Sequence, residues 1–355
     1  MTPSFWCGKR VLLTGHTGFK GSWLSLWLQQ LGAEVTGYSL SPPSTPSLFE
    51  LADVADGMTS IEADIRNLDQ LEATIREQQP EVLIHMAAQS LVRYSYDNPI
   101  ETIETNVMGT ANLFEAVRRT DSARVVLNIT SDKCYENREW CWGYRENEPM
   151  GGHDPYSSSK GCAELITSAY RNSYFSSEDS SVVLASARAG NVIGGGDWAA
   201  DRLIPDIMRS FMQNESVTIR FPNAIRPWQH VLEPLSGYMA LVEKLWQEGG
   251  EYTGGWNFGP RDEDARPVLW IVDQLVKQWG DSASYHLDKG MNPHEANYLK
   301  LDCSKAHQKL QWSPQLSLNT ALAWVTDWYK ACYQKQNMRT ETEKQITAYQ
   351  ALMEQ

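Results

Sequence analysis

The chain has 355 residues, 42% of them hydrophobic, a length that suits one doubly wound domain with an elaboration or two interlocked domains. Its formal net charge of −13 excludes nucleic acid and anionic membrane as general partners, since both need a positive footprint, but leaves room for a local basic pocket for phosphates. The six cysteines (Cys7, Cys134, Cys141, Cys162, Cys303, Cys332) form no CxxC pair and no metal-type spacing with histidine, so reduced thiols and no metal are predicted. No apolar run follows the charges of the opening MTPSFWCGKR, and the most apolar stretch, Trp23 to Leu31, is too short for a bilayer. A soluble cytoplasmic protein is the expectation.

In chain order, Arg10-Val11-Leu12-Leu13-Thr14 reads as a buried strand, followed by glycines and by Ser22–Leu31 with apolar residues at helical spacing. Glu34–Tyr38 reads as the second strand and Ser39–Ser47 as a loop. Strands at 82–85, 125–129 and 182–185 follow, separated by helical stretches at 67–78 and 101–119. This alternation predicts an α/β fold, a Rossmann-type doubly wound parallel sheet with helices on both faces. After about residue 190 the regularity fades and Gly, Pro and Trp become frequent. Residues 1–188, with segments returning near 225–258, are therefore expected to form the dinucleotide-binding domain. Residues 189–355 are expected to form mainly a smaller, interlocked substrate-binding domain.

The run Thr14-Gly15-His16-Thr17-Gly18-Phe19-Lys20-Gly21 lies directly between a strand and a helix. Glycines at that spacing let the backbone turn, approach a pyrophosphate and pack the helix on the sheet, and the helix N-terminus faces the phosphates. A plain tight turn is the alternative, but the flanking context favours a dinucleotide held by Gly15, Thr17, Gly18, Phe19, Lys20 and Gly21. Lys20 either meets a phosphate or is a solvated lysine at a helix start. The second strand ends Gly37-Tyr38-Ser39, without the ribose-binding acid usual for NAD or the Arg usual for NADP. Ser39 offers a neutral contact only. NAD is the favoured cofactor. Asp64 and Ile65 fall where such folds hold the adenine, with a surface loop acid as the other reading of Asp64.

Tyr156-Ser157-Ser158-Ser159-Lys160 places a phenol and an ammonium on one helix face. A phenol ionises near 10, and bringing it to about 7 takes roughly 4 kcal/mol, which a lysine plus a nicotinamide cation can supply. Such a tyrosine removes an alcohol proton while hydride leaves the carbon. Thr130-Ser131-Asp132-Lys133 closes a strand at the carboxyl edge, where α/β ligands bind.

With these motifs stand His85-Met86-Ala87-Ala88-Gln89, Glu104-Thr105-Asn106-Val107-Met108-Gly109-Thr110, Arg188-Ala189-Gly190-Asn191-Val192, Arg226-Pro227-Trp228-Gln229-His230-Val231 and Trp256-Asn257-Phe258-Gly259. Over nearly its whole length the chain resembles the extended short-chain dehydrogenase/reductases, in the branch of nucleotide-sugar epimerases and 4,6-dehydratases. Its longer stretches, GHTGFKG, NITSDKCY, NREWCWGYRENEPMGG, RAGNVIGGGDW and IRPWQHVLEPLSGY, are similar to 4,6-dehydratases acting on CDP-glucose. The resemblance alone implies CDP-glucose as substrate, a product on the way to the dideoxyhexoses of O-antigen, and NAD as the cofactor.

It also implies roles for particular residues. Ser131, Tyr156 and Lys160 match the family triad; Ala87, Ala88 and Asn106 line the cofactor, with core packing and a helix-internal contact as alternatives. Gln89, Arg93, Asn191, Arg202 and Arg226 fall toward the nucleotide-sugar. Asn191 otherwise organises its glycine-rich loop, and Arg226 otherwise pairs with a structural acid. Trp198 and Trp228 are candidates for stacking on a base. Dehydratases acting on dTDP-glucose carry an Asp-Glu pair after the triad Ser/Thr, where this sequence has Asp132-Lys133. Asp132 is then the acid for water loss and Lys133 the base at C5, unless Lys133 merely pairs with Asp132 or Glu136. A 4-epimerase shares the triad and needs no such pair. Relatives dimerise through two long helices, here about 101–119 and 155–173, which implies a homodimer.

Overall fold

The structure, a computed structural model, describes residues 2–120, 122–176, 180–280, 283–288 and 299–354. Along the chain, β1 (Arg10–Thr14), β2 (Glu34–Ser39), β3 (Thr59–Glu62), β4 (Val82–His85), β5 (Val125–Ile129) and β6 (Val183–Ala189) alternate with helices. Later come β7 (Asn191–Ile193), β8 (Val217–Ile219), β9 (Ile225–His230), β10 (Gly254–Phe258), β11 (Ala265–Pro267) and β12 (Tyr285–Leu287). Seven strands form one parallel sheet in the order β10-β6-β5-β4-β1-β2-β3. Its order reverses at β1 and β4, so the crevice beyond their carboxyl ends is where a ligand is held in such a sheet.

Alternate residues of the central strands feed two separate cores, as the two-residue period of a strand requires. Val11, Leu13, Val82, Ile84, Val125 and Leu127 face one side, with α1 (Phe19–Gln30) packed there through Trp23, Leu24 and Trp27. Leu12, Leu83 and Val126 face the other, against α2 (Leu68–Gln78) and α3 (Gly109–Arg118). The predicted helix over 101–119 is interrupted. It begins at Pro99–Ile103, widens into a π-turn over Glu104–Met108 whose one buried residue is Asn106, and resumes as α3. Helix α4 (Pro155–Tyr174) starts under an Asp154 cap that accepts from Ser157 N–H, with Pro155 in the first turn. Strand β6 outruns its predicted end at 185, because Ser186 to Ala189 are buried and pair with β10.

Regularity does not fade after residue 190. Helices α5 (Leu203–Met212), α6 (Leu232–Glu248), α7 (Val268–Trp279), α8 (Leu318–Tyr333) and α9 (Met338–Met353) follow, beside a three-stranded sheet β11-β9-β7 and a β12-β8 pair. In α5 to α8 the Gly, Pro and Trp content hides the pattern. The core on the α1 side continues without a break from Trp6 through α6 and α8 to Tyr349. Buried Glu233 of α6 fastens this part, accepting from Leu316 N–H at 2.6 Å and from the Tyr349 hydroxyl at 2.6 Å. Among the described residues, no helix is long and apolar enough to cross a membrane.

Candidate active site

The turn after β1 has the geometry of a phosphate cradle. Gly15 has φ +77° and donates to Tyr38 O at 2.9 Å, and a Cβ there would lie 2.7 Å from Ala87 N, so only glycine fits. A Cβ at Gly21 would strike the Gly15 carbonyl. Gly18 differs: its Cβ would meet nothing nearer than Gly15 O at 3.4 Å, an ordinary contact. The chain itself therefore does not demand glycine at position 18, but a pyrophosphate drawn close to the backbone does. Gly18 also caps α1 without any side-chain cap, which leaves first-turn N–H groups for an anion. These features fit a dinucleotide. Phe19 packs its ring on the Gly194 backbone. The Thr17 hydroxyl donates to Leu40 O and shares a 2.9 Å hydrogen bond with the Ser39 hydroxyl. Lys20 is not a solvated lysine: burial and the charges of Lys160 and Arg202 lower its pKa to about 8, with Asp132 opposing.

Beyond β4, Ala87 N–H reaches Thr14 Oγ1 at 3.2 Å, while Ala87 and Ala88 stay partly accessible. Asn106 is a brace. Its amide donates to Gln89 O at 2.9 Å and to Ser159 Oγ at 2.8 Å, while its carbonyl accepts from Gln89 N–H at 2.9 Å. Both ends of the Gln89 carboxamide are engaged as well, donating to Leu91 O and Thr102 and accepting from Leu91 N–H. Asn106 thus fixes the loop after β4 to the helix turn that carries Tyr156. The Asp64 carboxylate takes both the side chain and the N–H of Arg66, which hold it below the usual carboxylate range. Ile65 is buried against Gly109.

At the end of β5, Ser131 is extended and Asp132–Cys134 make one 3-10 turn, which brings Ser131, Asp132 and Lys133 to the mouth of the crevice. The Ser131 hydroxyl donates to Asp132 Oδ1 at 3.0 Å and accepts from Lys133 N–H at 3.3 Å. Buried Asp132 is pushed up in pKa by desolvation, against the pull of Lys133, Ser131 and Arg226. Tyr156 is buried, and desolvation raises it to about 12 although a hydrogen bond with Ser131 works to lower it. The chain by itself does not bring this phenol toward neutrality. Burial outweighs the local cations, Arg202 among them. Lys160 is itself lowered to about 8 by burial, with Glu164 opposing.

Sequence reading missed what stands behind Lys160. Glu164, one turn further along α4, is buried and accepts from Thr130, from Ser186 at 2.7 Å and from Arg188 at 2.7 Å. Arg188 also donates to the Tyr135 hydroxyl at 2.6 Å, which donates to Asn257 Oδ1 at 2.8 Å. The signal for Glu164 was present as a Lys160-Glu164 i,i+4 pair.

Of the substrate-side candidates, Arg202 donates to Asp197 at 3.0 Å and to Ser90 at 3.1 Å, and its charge reaches Tyr156. Arg93 lies farther out, paired with exposed Asp201. Asn191 stands opposite Trp228 across β7 and β9, and the charge of Arg226 acts on Asp132. Trp198 is a packing residue, edge-on to Tyr329 at 5.2 Å. The arrangement therefore gathers a phenol, a serine, a buried carboxyl, three lysines and arginines at the switch point of the sheet, the equipment for moving protons on a polyhydroxy substrate.

Comparison with known proteins places this geometry. The sequence model of the family described as GDP-mannose 4,6 dehydratase matches residues 12–324. The chain is 58% identical to CDP-glucose 4,6-dehydratase of Salmonella typhimurium, over 98% of this chain and 97% of that one. Its fold is similar to UDP-glucose 4-epimerase of Thermotoga maritima, with a TM-score of 0.76, 19% identity, and 91% and 99% of the two chains covered. It is also similar to dTDP-glucose 4,6-dehydratase of Bacillus anthracis in complex with NAD, with a TM-score of 0.75, 20% identity, and 94% and 100% covered. Glycine turn, serine-tyrosine-lysine set and sheet order all belong to one plan, and the chain is a member of the GDP-mannose 4,6 dehydratase family.

Proposed function

We propose that the chain is an NAD-dependent hydro-lyase that converts CDP-glucose to CDP-4-keto-6-deoxyglucose and water, for dideoxyhexose and O-antigen synthesis in the cytoplasm. The observation that carries this reading is the buried Asp132 carboxyl between Ser131 and Lys133 at the mouth of the crevice, a group a simple epimerase does not need. We assign residues 1–188, with segments returning near 225–258, to the cofactor and the rest of 189–355 mainly to the nucleotide-sugar.

NAD would be held by the glycine turn, the start of α1, Ala87 and Lys160, and when bound it supplies a hydride acceptor and donor. Tyr156 takes the proton of the C4 hydroxyl as that carbon is oxidised, and Ser131 shares the hydrogen bond. The resulting ketone acidifies C5, and Lys133 takes the C5 proton. Asp132, held toward its protonated form by burial, gives a proton to the departing C6 hydroxyl, which leaves as water. Lys133 then returns a proton to C5.

C4-deuterated CDP-glucose tests the scheme. The product should be lighter by one water, carry the label at C6 and form without net reduced cofactor. Unchanged mass would indicate an epimerase, and parallel assays with UDP-, GDP- and dTDP-glucose fix the nucleoside. We further propose a homodimer through the helices near 101–119 and 155–173, since Ile100, Ile103, Met108, Leu165 and Tyr174 there are all exposed. A Leu165→Glu variant that still sediments as the parent does would count against that interface.

A further inference from the structure

The turn after β5 that carries Ser131, Asp132 and Lys133 does not hold itself. Asp132–Cys134 form a single 3-10 turn, closed by two long backbone hydrogen bonds, Cys134 N–H to Ser131 O at 3.2 Å and Tyr135 N–H to Asp132 O at 3.4 Å. Hydrogen-bond geometry in so short a segment is poor, and one turn alone is not a stable nucleus. Both of its ends are tied instead to one buried ion pair. Glu164 of α4 and Arg188 of β6, 5% and 4% exposed, meet at 2.7 Å. At the near end the Thr130 hydroxyl donates to Glu164. At the far end Arg188 donates to the Tyr135 hydroxyl at 2.6 Å, and that hydroxyl donates to Asn257 Oδ1 at 2.8 Å. Gly255 of β10 leaves room for this reach, since a Cβ there would lie 2.4 Å from the guanidinium. Ser186 gives Glu164 a further hydrogen bond at 2.7 Å.

We propose that Glu164 and Arg188 are positioning residues of the reaction, a buried clamp that pins the Thr130 and Tyr135 ends of the turn and so sets Asp132 and Lys133 against Tyr156 and Lys160. This role rests on the dehydratase reading and adds two residues that act through the turn rather than on the substrate. Net stability is a poor reason for such a pair, since apolar residues of the same volume commonly serve as well. What the pair supplies is fixed distance. Glu164 is one helical turn beyond Lys160 on α4, so the carboxylate that holds Thr130 moves with the helix that carries the phenol and the ammonium. The planar guanidinium gives one nitrogen to Glu164 and the other to Tyr135, a fork that lysine cannot copy. The two halves of the reaction depend on the clamp unequally. Ser131 stays anchored without it, because Thr130 N–H pairs with Ala187 O at 2.9 Å. Asp132 and Lys133 lie beyond that anchor. Loosening the turn should therefore slow water loss more than C4 oxidation, and a misplacement of about 1 Å is enough for a large loss.

Thr130→Val combined with Tyr135→Phe cuts both pins and leaves the ion pair whole. In the NAD-loaded enzyme kcat should fall at least about tenfold, with KM for the nucleotide-sugar and NAD affinity within about twofold of the parent. Reduced cofactor should build up in a single turnover, because oxidation outruns elimination. Arg188→Lys keeps the charge but loses the fork, and should show the same pattern with a smaller loss. Thermal unfolding of each variant reports the fold, and the two single variants carry the test if the combined one does not fold. Parent rates, or equal slowing of oxidation and water loss, overturn the clamp. So does a loss in which kcat, KM, NAD affinity and unfolding temperature worsen together, because that is a structural pair only. All three results leave the dehydratase reading standing. A parent enzyme whose product is not lighter by one water sinks that reading and the clamp with it.

Discussion

The Ser131 hydroxyl donates to Asp132 Oδ1 at 3.0 Å, and the same side chain is hydrogen-bonded with the Tyr156 phenol. A single serine thus joins the group that takes the first proton of the reaction to the group that gives the proton to water. Ser131→Ala should slow turnover by about a hundredfold. In single-turnover experiments both C4 oxidation and water loss should slow, because the variant strips a hydrogen bond from each partner. If only one step slows, the two groups are not linked through Ser131.

Tyr156→Phe keeps the ring and removes the proton acceptor, so turnover should fall at least about a hundredfold with little change in NAD affinity. The phenol also leaves a mark on stability. Its folded pKa of about 12 lies above the ordinary ~10, so the folded state keeps the proton longer. The stability it contributes is complete below pH 10 and declines as pH rises toward 12. Urea unfolding at pH 9 and pH 11 should show a steeper decline in the parent than in Tyr156→Phe; equal declines would mean the phenol is not desolvated.

Much of this site was legible in the chain because its parts are local. The glycine turn between Thr14 and α1, and Tyr156 with Lys160 one turn away, depend on spacing alone, and the structure brings both to one crevice. What spacing cannot show is which polar groups the tertiary fold has already claimed. Gln89 and Asp64 look free in the sequence, yet Leu91 and Thr102 engage one and Arg66 the other. The π-turn that carries Asn106 inward was unreadable for the same reason, since its partners Gln89 and Ser159 are 17 and 53 residues away. Helices α5 to α8 were missed because their Gly, Pro and Trp residues blur the period that packing nonetheless enforces.

Three histidines should make the protein sensitive to mild acid. Burial lowers His16 to about 4 and His85 and His230 to about 3. The unfolded chain protonates them near 6.5. Because their folded values lie below the unfolded one, the stability they contribute is complete above pH 6.5 and is lost as pH falls. Each should add a slope of about 1.4 kcal/mol per pH unit below that point. Urea unfolding at pH 7.5, 6 and 5 measures it, and stability that holds flat from pH 7.5 to 5 would contradict neutral burial.

The ribose end of the cofactor site can be strengthened. Ser39 already shares a hydrogen bond with Thr17, so its hydroxyl has little left for a ribose. In Ser39→Asp, the Thr17 hydroxyl can turn its proton from Leu40 O to one carboxylate oxygen, and the other oxygen can accept from a ribose hydroxyl. NAD should then bind about tenfold tighter, as a hydrogen bond to a charged group allows, with no gain for NADP. Fluorescence titration of both cofactors checks this, and equal tightening for the two would show that the contact is not at the ribose.

Lys133 decides whether the pair after Ser131 is chemistry or scaffold. It follows Asp132 in the 3-10 turn at the end of β5, its N–H reaches Ser131 Oγ at 3.3 Å, and its charge acts on the Asp132 carboxyl. As a base it must be neutral when the ketone has acidified C5, and no other described amine sits in that turn. Lys133→Met keeps the length of the side chain and removes the amine. Oxidation at C4 depends on Tyr156 and should continue, while elimination stalls, so reduced cofactor should accumulate in a single turnover. Exchange of the C5 proton with solvent deuterium should fall by about a hundredfold, the usual scale for a missing general base. Removing a cation beside Asp132 should also raise that carboxyl further, so if Lys133 were only its partner, the variant would shift the pH profile of water loss and leave C5 exchange intact. Loss of exchange with normal oxidation therefore assigns the base, and unimpaired exchange assigns Lys133 to the support of Asp132.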